Sequence, residues 1–159
     1  MPKQIELIHL ITIKIDGAEV PADFLRDLLK VTVENSLHLP DIATLVLHDA
    51  RLHWIDEDLV MPGKTLEVSI RENHQQTTLF DGEIVEIEPN FDASTQQLSI
   101  RAFDRIHRLA RGRHARSFLN VSDADLIQKL ADEVGLQVQT KLNGEVYPYI
   151  FQNNETNLE

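Results

Sequence analysis

Apolar and polar residues alternate through most of the first hundred positions, the period of extended chain with one buried face. Leu7, His9, Ile11, Ile13 and Ile15 fall on one side, Ile8, Leu10, Thr12 and Lys14 on the other. The run ends at Asp16-Gly17, a strong signal for a tight hairpin turn. Residues 18–20 form a short returning strand that Pro21 stops. Residues 22–30 carry Phe24, Leu25, Leu28 and Leu29, a spacing that suits one helical turn or the approach to a strand. Leu29, Val31 and Val33 alternate, as do Leu45 and Leu47 after Pro40, so two strands are predicted around a loop at residues 38–41. Residues 49–58 are polar and irregular. Pro62-Gly63 turns the chain into Leu66, Val68 and Ile70, and a polar tip at residues 72–76 leads into a long strand through Phe80, Ile84, Val85 and Ile87. Residues 90–97 make the next turn, and Leu98, Ile100 and Ala102 the next strand. Six or seven short antiparallel strands at near-regular spacing predict a small closed or nearly closed β-barrel, which hides edges that would otherwise aggregate.

After Phe103 the period changes. Phe103, Ile106, Leu109 and Ala110 follow helical spacing for about two turns, until Gly112, and Ala115, Ser117 and Phe118 return to an extended pattern. Ser122 is placed to cap a helix, with Asp125 at its third position and Val121 stapling onto Leu126. Leu126, Ile127, Leu130, Ala131 and Val134 then form one apolar stripe, and Gly135 with Leu136 supplies a left-handed stop. Burying the larger aliphatic side chains contributes roughly 1.5–3 kcal/mol each before entropy is subtracted, so the stripe needs a packing partner. Val138, Tyr147, Tyr149, Ile150 and Phe151, on predicted strands, are the candidates. Thr156 to Glu159 spells a T-x-x-E helix start, after which a longer protein is expected to continue. The predicted fold class is mainly β with α+β: a small antiparallel β-barrel over residues 1–103, an arginine-rich connecting element over 104–119, and the beginning of a truncated α/β domain over 120–159.

Composition narrows the function. The 159 residues hold 26 acidic and 15 basic side chains, so the surface repels nucleic acid and anionic lipid headgroups unless positive charge is concentrated locally. There is no cysteine, which excludes disulfides and thiolate chemistry and fits folding in a reducing cytoplasm. No apolar run of about 18 residues occurs, and charges interrupt the first seventeen residues, so neither a membrane span nor a signal peptide is expected. The seven histidines, His9, His38, His48, His53, His74, His107 and His114, are scattered, and His48 with His53 lacks the i, i+4 spacing of helical metal ligands. Carboxylates crowd Asp56, Glu57 and Asp58 and the stretch 81–88, but exposed loops and strand faces explain them more simply than acid–base chemistry. No phosphate-binding glycine loop is present. No catalytic, metal or cofactor-binding residue is therefore assigned.

Two features suggest interfaces. Six of the nine arginines, Arg101, Arg105, Arg108, Arg111, Arg113 and Arg116, fall within sixteen residues together with His107 and His114, offset only by Asp104. Guanidinium groups fork onto phosphates, so a nucleic-acid-binding barrel using Arg101–Arg116 is the alternative function. The strongly acidic chain favours ion pairing within and between subunits instead, with Glu83, Glu86 and Glu88 on the neighbouring strand. Arg105, Arg108, Arg111, Arg113 and Arg116 are thus a candidate subunit or partner interface. Trp54, the only tryptophan, is either an interface anchor or a partly buried loop aromatic.

The succession FDGEIVEIEPNFD, then LSIRAFDRIHRLARGRHARSFLNVSDADLIQKLADEVGL, then YIFQNNETNLE resembles the phage late control protein D and VgrG spike family, baseplate hubs of contractile tails and injection systems. The F-x-G-x-I hairpin corresponds to Phe80, Gly82 and Ile84, the arginine-rich turn to residues 104–118, the helix to residues 122–135, and the last strand and helix start to Gln152 and residues 156–159. Residues before about Pro62 match only as a strand pattern. The resemblance implies a non-enzymatic structural hub, trimeric in the full-length protein, whose paired barrels make a pseudo-sixfold ring between inner tube and spike. It further implies inner tube, spike and baseplate proteins as partners; from the residues themselves no cofactor or membrane anchoring is expected, and the net charge disfavours nucleic acid. The protein is expected to be cytoplasmic on synthesis and then part of a virion tail or injection particle.

Overall fold

The alternating segments become one seven-stranded antiparallel sheet. The computed structural model describes residues 11–72, 75–91, 96–139, 141 and 144–159, and the chain divides into two units, Met1–Asp104 and Arg105–Glu159. The first half of the opening run, Leu7 to Leu10, lies outside the described residues, as do His74 and residues 92–95 of the expected turn.

In the first unit, β1 (Ile11–Ile15) turns through Asp16 and Gly17 into β2 (Ala18–Glu19). Both turn residues have positive φ, 49° and 78°, the twist a two-residue hairpin loop requires. Pro21, lacking an amide hydrogen, ends β2. Residues 22–30 are both things their spacing allowed, in succession: α1 (Ala22–Asp27), then β3 (Leu28–Glu34). β4 (Ile42–His48) follows a loop that the Asp41 carboxylate organises, accepting from Asn35 Nδ2 at 2.7 Å and from the Ser36 amide at 2.8 Å. The stretch expected to be irregular contains a single helical turn, α2 (His53–Asp56), and a 3₁₀ turn at Asp58–Val60. The long β6 (Gln75–Phe91) is flanked by β5 (Thr65–Glu72) and β7 (Gln96–Asp104).

The strand order is β2-β1-β5-β6-β7-β4-β3. Among the described residues β2 and β3 each pair with one neighbour only, so closure of the expected barrel is not seen among them. The alternation itself is accurate: Ile13, Ile15, Leu45, Leu47, Leu66, Val68, Leu98 and Ile100 line one core, closed by Phe24, Trp54 and Val60. One strand departs from the pattern. A bulge between Leu28 and Lys30 puts Leu28, with Val31 and Val33, against the core and leaves Leu29 55% exposed.

The second unit contains a 3₁₀ helix (Arg105–Ala110), β8 (His114–Ser122), α3 (Asp123–Glu133) and β9 (Val146–Glu155), the two strands pairing antiparallel. Residues 105–119, expected as a connecting element, are built into this unit, and the helical spacing after Asp104 is 3₁₀. The capping box is present: Ser122 Oγ accepts from the Asp125 amide at 3.2 Å while the Asp125 carboxylate accepts from Ser122. Those bonds hold the Asp125 carboxyl below its ordinary range. Ser122→Ala is expected to destabilise the unit by about 1 kcal/mol, read from amide hydrogen exchange along α3. At the other end Gly135, at φ 70°, lets its amide reach Asp132 and that of Leu136 reach Ala131, the double bond of a Schellman stop.

The helix stripe is narrower than predicted. Ala131 is buried, but Ile127 is 39% exposed. Of the expected packing partners, Ile150 pairs with buried Phe118, whereas Tyr149 and Phe151 pair with Leu119 and Ser117 on the opposite, exposed face. Val138 is in no strand.

Candidate functional site

Strand alternation and turn geometry give the arginines different partners. Arg101 lies on β7 in the first unit, directly opposite Glu86 of β6, and pairs with it at 2.7 Å. Of the three carboxylates expected to neutralise the cluster, Glu86 is the one that meets Arg101. Arg105 begins the 3₁₀ helix of the second unit. Arg108 Nη1 donates to the Val134 carbonyl at 2.8 Å, satisfying a group at the end of α3 that no helical amide reaches. Arg111 Nη2 donates to His107 Nε2 at 2.7 Å; arginine has no acceptor, so the ring nitrogen accepts. Arg113 Nη1 donates to the carbonyl of Asn154, a residue held at φ 55°.

Arg116 is the centre of the second unit. Its two terminal nitrogens grip the Glu133 carboxylate at 2.8 and 2.9 Å, its Nε donates to Gln152 Oε1 at 2.9 Å, and Nη2 also reaches Asn157 Oδ1 at 3.0 Å. The guanidinium lies 5.1 Å from the centre of the Phe118 ring. Gln152, buried opposite Arg116 on β9, sends its amide to the carbonyls of Glu155 and Thr156. One side chain thus ties β8, β9, the end of α3 and the C-terminal turn together. The hydrogen bonds from Arg116 hold the Glu133 carboxyl below the ordinary glutamate range. Beyond Gln152 the T-x-x-E start is formed: the Thr156 amide donates to Glu159 Oε2 at 2.8 Å and the Glu159 amide to Thr156 Oγ1, which lowers the Glu159 carboxyl.

Sequence reasoning missed Glu133. Its signal was available: an acidic residue in the last turn of a helix opposes the helix dipole, and α3 has no basic residue there. Such a residue needs a cation from elsewhere in the fold.

Trp54, in α2, is a core residue, 3% exposed, which favours the buried aromatic over the interface anchor, although it stands in a helical turn and not in a loop. Its ring meets Phe24 edge-on at 5.1 Å, and its indole nitrogen donates to Asp27 Oδ2 at 2.8 Å. A shallow cleft of about 690 Å³ opens beside it, lined among others by Asp23, Asp27, His48, Arg51 and His53. Its carboxylates already have structural work: Asp27 receives the indole, and buried Asp49 accepts from the amides of His53 and Ile55. Among the described residues no group of three or more His, Asp or Glu side chains is arranged to hold a metal ion. Two of the scattered histidines, His9 and His74, lie outside those residues. Among them, too, no helix is long and apolar enough to cross a membrane.

The fold has solved relatives. A 43 kDa tail protein of prophage MuSo2 from Shewanella oneidensis superposes with a TM-score of 0.67 at 19% identity, over 93% of this chain and 45% of the other. A tail protein from Neisseria meningitidis gives 0.62 at 17% identity, over 93% and 42%. The E. coli c3393 protein, a component of the type VI secretion system with structural similarity to the T4 bacteriophage tail proteins gp27 and gp5, gives 0.57 at 15%, over 92% and 40%. The chain spans less than half the length of these proteins. No curated protein sequence matches it. A family model does, over residues 6–158, and by that match the chain belongs to the Alg8 N-terminal domain family.

Proposed function

We propose that this chain is part of a structural baseplate hub of a contractile tail or injection system. In the full-length protein it would trimerise, its sheet completing a barrel in a pseudo-sixfold ring that joins inner tube to spike, within a virion tail or injection particle. The observation that carries this reading is the likeness of nearly the whole chain, both units included, to proteins of phage tails and of a type VI secretion system. The internal chemistry agrees with a structural role, since Arg101 and Arg116 are spent on ion pairs and Arg108 on a helix end. Arg111 and Arg113, exposed at the turn around Gly112, remain the arginines best placed for a neighbouring subunit or partner. The net charge of −11 weighs against nucleic acid as that partner.

Light scattering of the full-length protein tests this reading. Three chains per particle is the expected result. A stable monomer that binds single-stranded nucleic acid, and loses it as salt rises, would overturn the hub in favour of a nucleic-acid-binding module.

A further inference from the structure

The β3 edge of the first unit carries an inference independent of the hub reading. Among the described residues β3 pairs only with β4, so its other side presents backbone amides and carbonyls that no described strand takes up. Beyond the bulge at Leu29, the regular part of the strand reads Lys30-Val31-Thr32-Val33-Glu34. This segment is self-complementary in the antiparallel sense. Laid against a second copy about Thr32, it sets Lys30 opposite Glu34 at both ends, Val31 opposite Val33 twice, and Thr32 opposite itself. Lys30 and Glu34 are both exposed, and neither is ion-paired among the described residues. Opposite charges and β-branched pairs directly across two strands are the combinations that stabilise a ladder.

A second observation points the same way. Leu29 at the start of the strand is 55% exposed, and Leu37 and Leu39, in the loop just past its end, are 96% and 68% exposed. That loop is ordered: besides the Asp41 bonds, Ser36 Oγ accepts from the amides of His38 and Leu39. An antiparallel partner in the same register brings Leu29 of each copy alongside residues 35–37 of the other. The apolar side chains at the two ends of β3 then cover one another twice, once on each side of the twofold axis.

We propose that β3 is a homodimerisation edge, at which a second copy of this chain adds its own β3 antiparallel about Thr32, joining two seven-stranded sheets into one. The interface is isologous, as a twofold axis requires. Because a twofold contact cannot form part of a threefold ring, it describes the free chain, whose edge is otherwise open to indiscriminate strand pairing. The contact is small, so dissociation on the order of 100 µM is expected.

Sedimentation of the 159-residue chain over a concentration series tests the pairing. Monomer and dimer in exchange is the expected result. Lys30→Glu alone, or Glu34→Lys alone, replaces two attractive cross-strand pairs with two repulsive ones and is expected to weaken the dimer roughly tenfold. The doubly substituted chain, Lys30→Glu with Glu34→Lys, restores both pairs and should recover the original affinity, which also shows that the charge changes leave the fold intact. Leu37→Ser should weaken association while leaving thermal stability unchanged, because the side chain touches solvent. A chain that stays monomeric at the highest concentration, or a dimer that neither single charge change weakens, overturns the proposal. So does a trimer, an outcome that would leave the hub reading standing.

Discussion

Replacing Gly82 with alanine is expected to destabilise the first unit by about 3 kcal/mol or more, lowering its melting temperature by roughly 15 °C. Gly82 lies in the middle of β6, so that the F-x-G-x-I segment, expected as a hairpin, is part of one strand, and it is in register with Leu66 of β5 and Asp104 of β7. A methyl group there would press into the carbonyl of Phe103 and into the Phe80 ring, whose tip would be 2.5 Å away. Neither neighbour can yield cheaply. The Phe103 carbonyl belongs to the ladder between the two longest strands of the sheet, and Phe80 is 3% exposed in the core. The backbone at Gly82 is not left-handed, so the requirement is space alone. Gly63 makes the contrast: nothing lies within 4 Å of its added carbon, but its φ is 95°. Alanine there should cost only about 1 kcal/mol of backbone strain. Thermal unfolding of the two variants, measured side by side, separates crowding from conformation. Equal losses would show that β6 moves aside to admit a methyl group.

The second large effect is expected at Arg116. Arg116→Ala removes four hydrogen bonds, two of them the ion pair with Glu133, and a cation–π contact, and strands Glu133 and the Oε1 of buried Gln152. A loss of about 2 kcal/mol is expected, from charge-assisted bonds in a site only partly open to water. Hydrogen exchange should place it in the second unit, faster in β8 and β9 and unchanged in β4 and β7. The acid dependence follows from Glu133. Its carboxyl is lowered in the folded chain, chiefly by the hydrogen bonds from Arg116. The resulting stabilisation is therefore complete above the ordinary glutamate value of about 4.3 and disappears as pH falls through the lower folded value. The advantage of the parent chain over Glu133→Gln should be full at neutral pH and vanish in that acid window. A constant difference across the whole range would mean that Arg116 acts by packing on Phe118 and not through the carboxylate.

Where a residue's role is fixed by its immediate neighbours in sequence, the sequence was readable. Alternation placed Leu98, Ile100 and Ala102 inward, and all three are fully buried. Asp16-Gly17 and Pro62-Gly63 turn the chain where their chemistry says they should, and Ser122 caps α3 as its spacing with Asp125 implies. The misreadings occur where distant contacts decide. A single bulge exchanged Leu28 for Leu29 on the core face. α2 is one turn long, too short to show a periodic stripe, and its amides are held by Asp49, so Trp54 looked like a loop residue with a free face. The stretch of arginines does not show which bonds each one makes. Arg101 belongs to a sheet in one unit, and Arg108 and Arg116 serve separate structural bonds in the other. The partner of Arg116, seventeen residues away at the end of a helix, could be suspected only from an acid placed against the helix dipole.

The strand order has a consequence for the chain as it leaves the ribosome. The centre of the sheet is the meander β5-β6-β7, and the strands made earlier attach to its two flanks, β1 to β5 and β4 to β7. Synthesis therefore delivers the flanks before the middle. Until Asp104 has emerged, β3 and β4 have only each other, a two-stranded ribbon that is marginal alone in water. Leu45 and Leu47 then have no core to enter, and a nascent chain halted between β4 and β7 would expose them to whatever strand comes by.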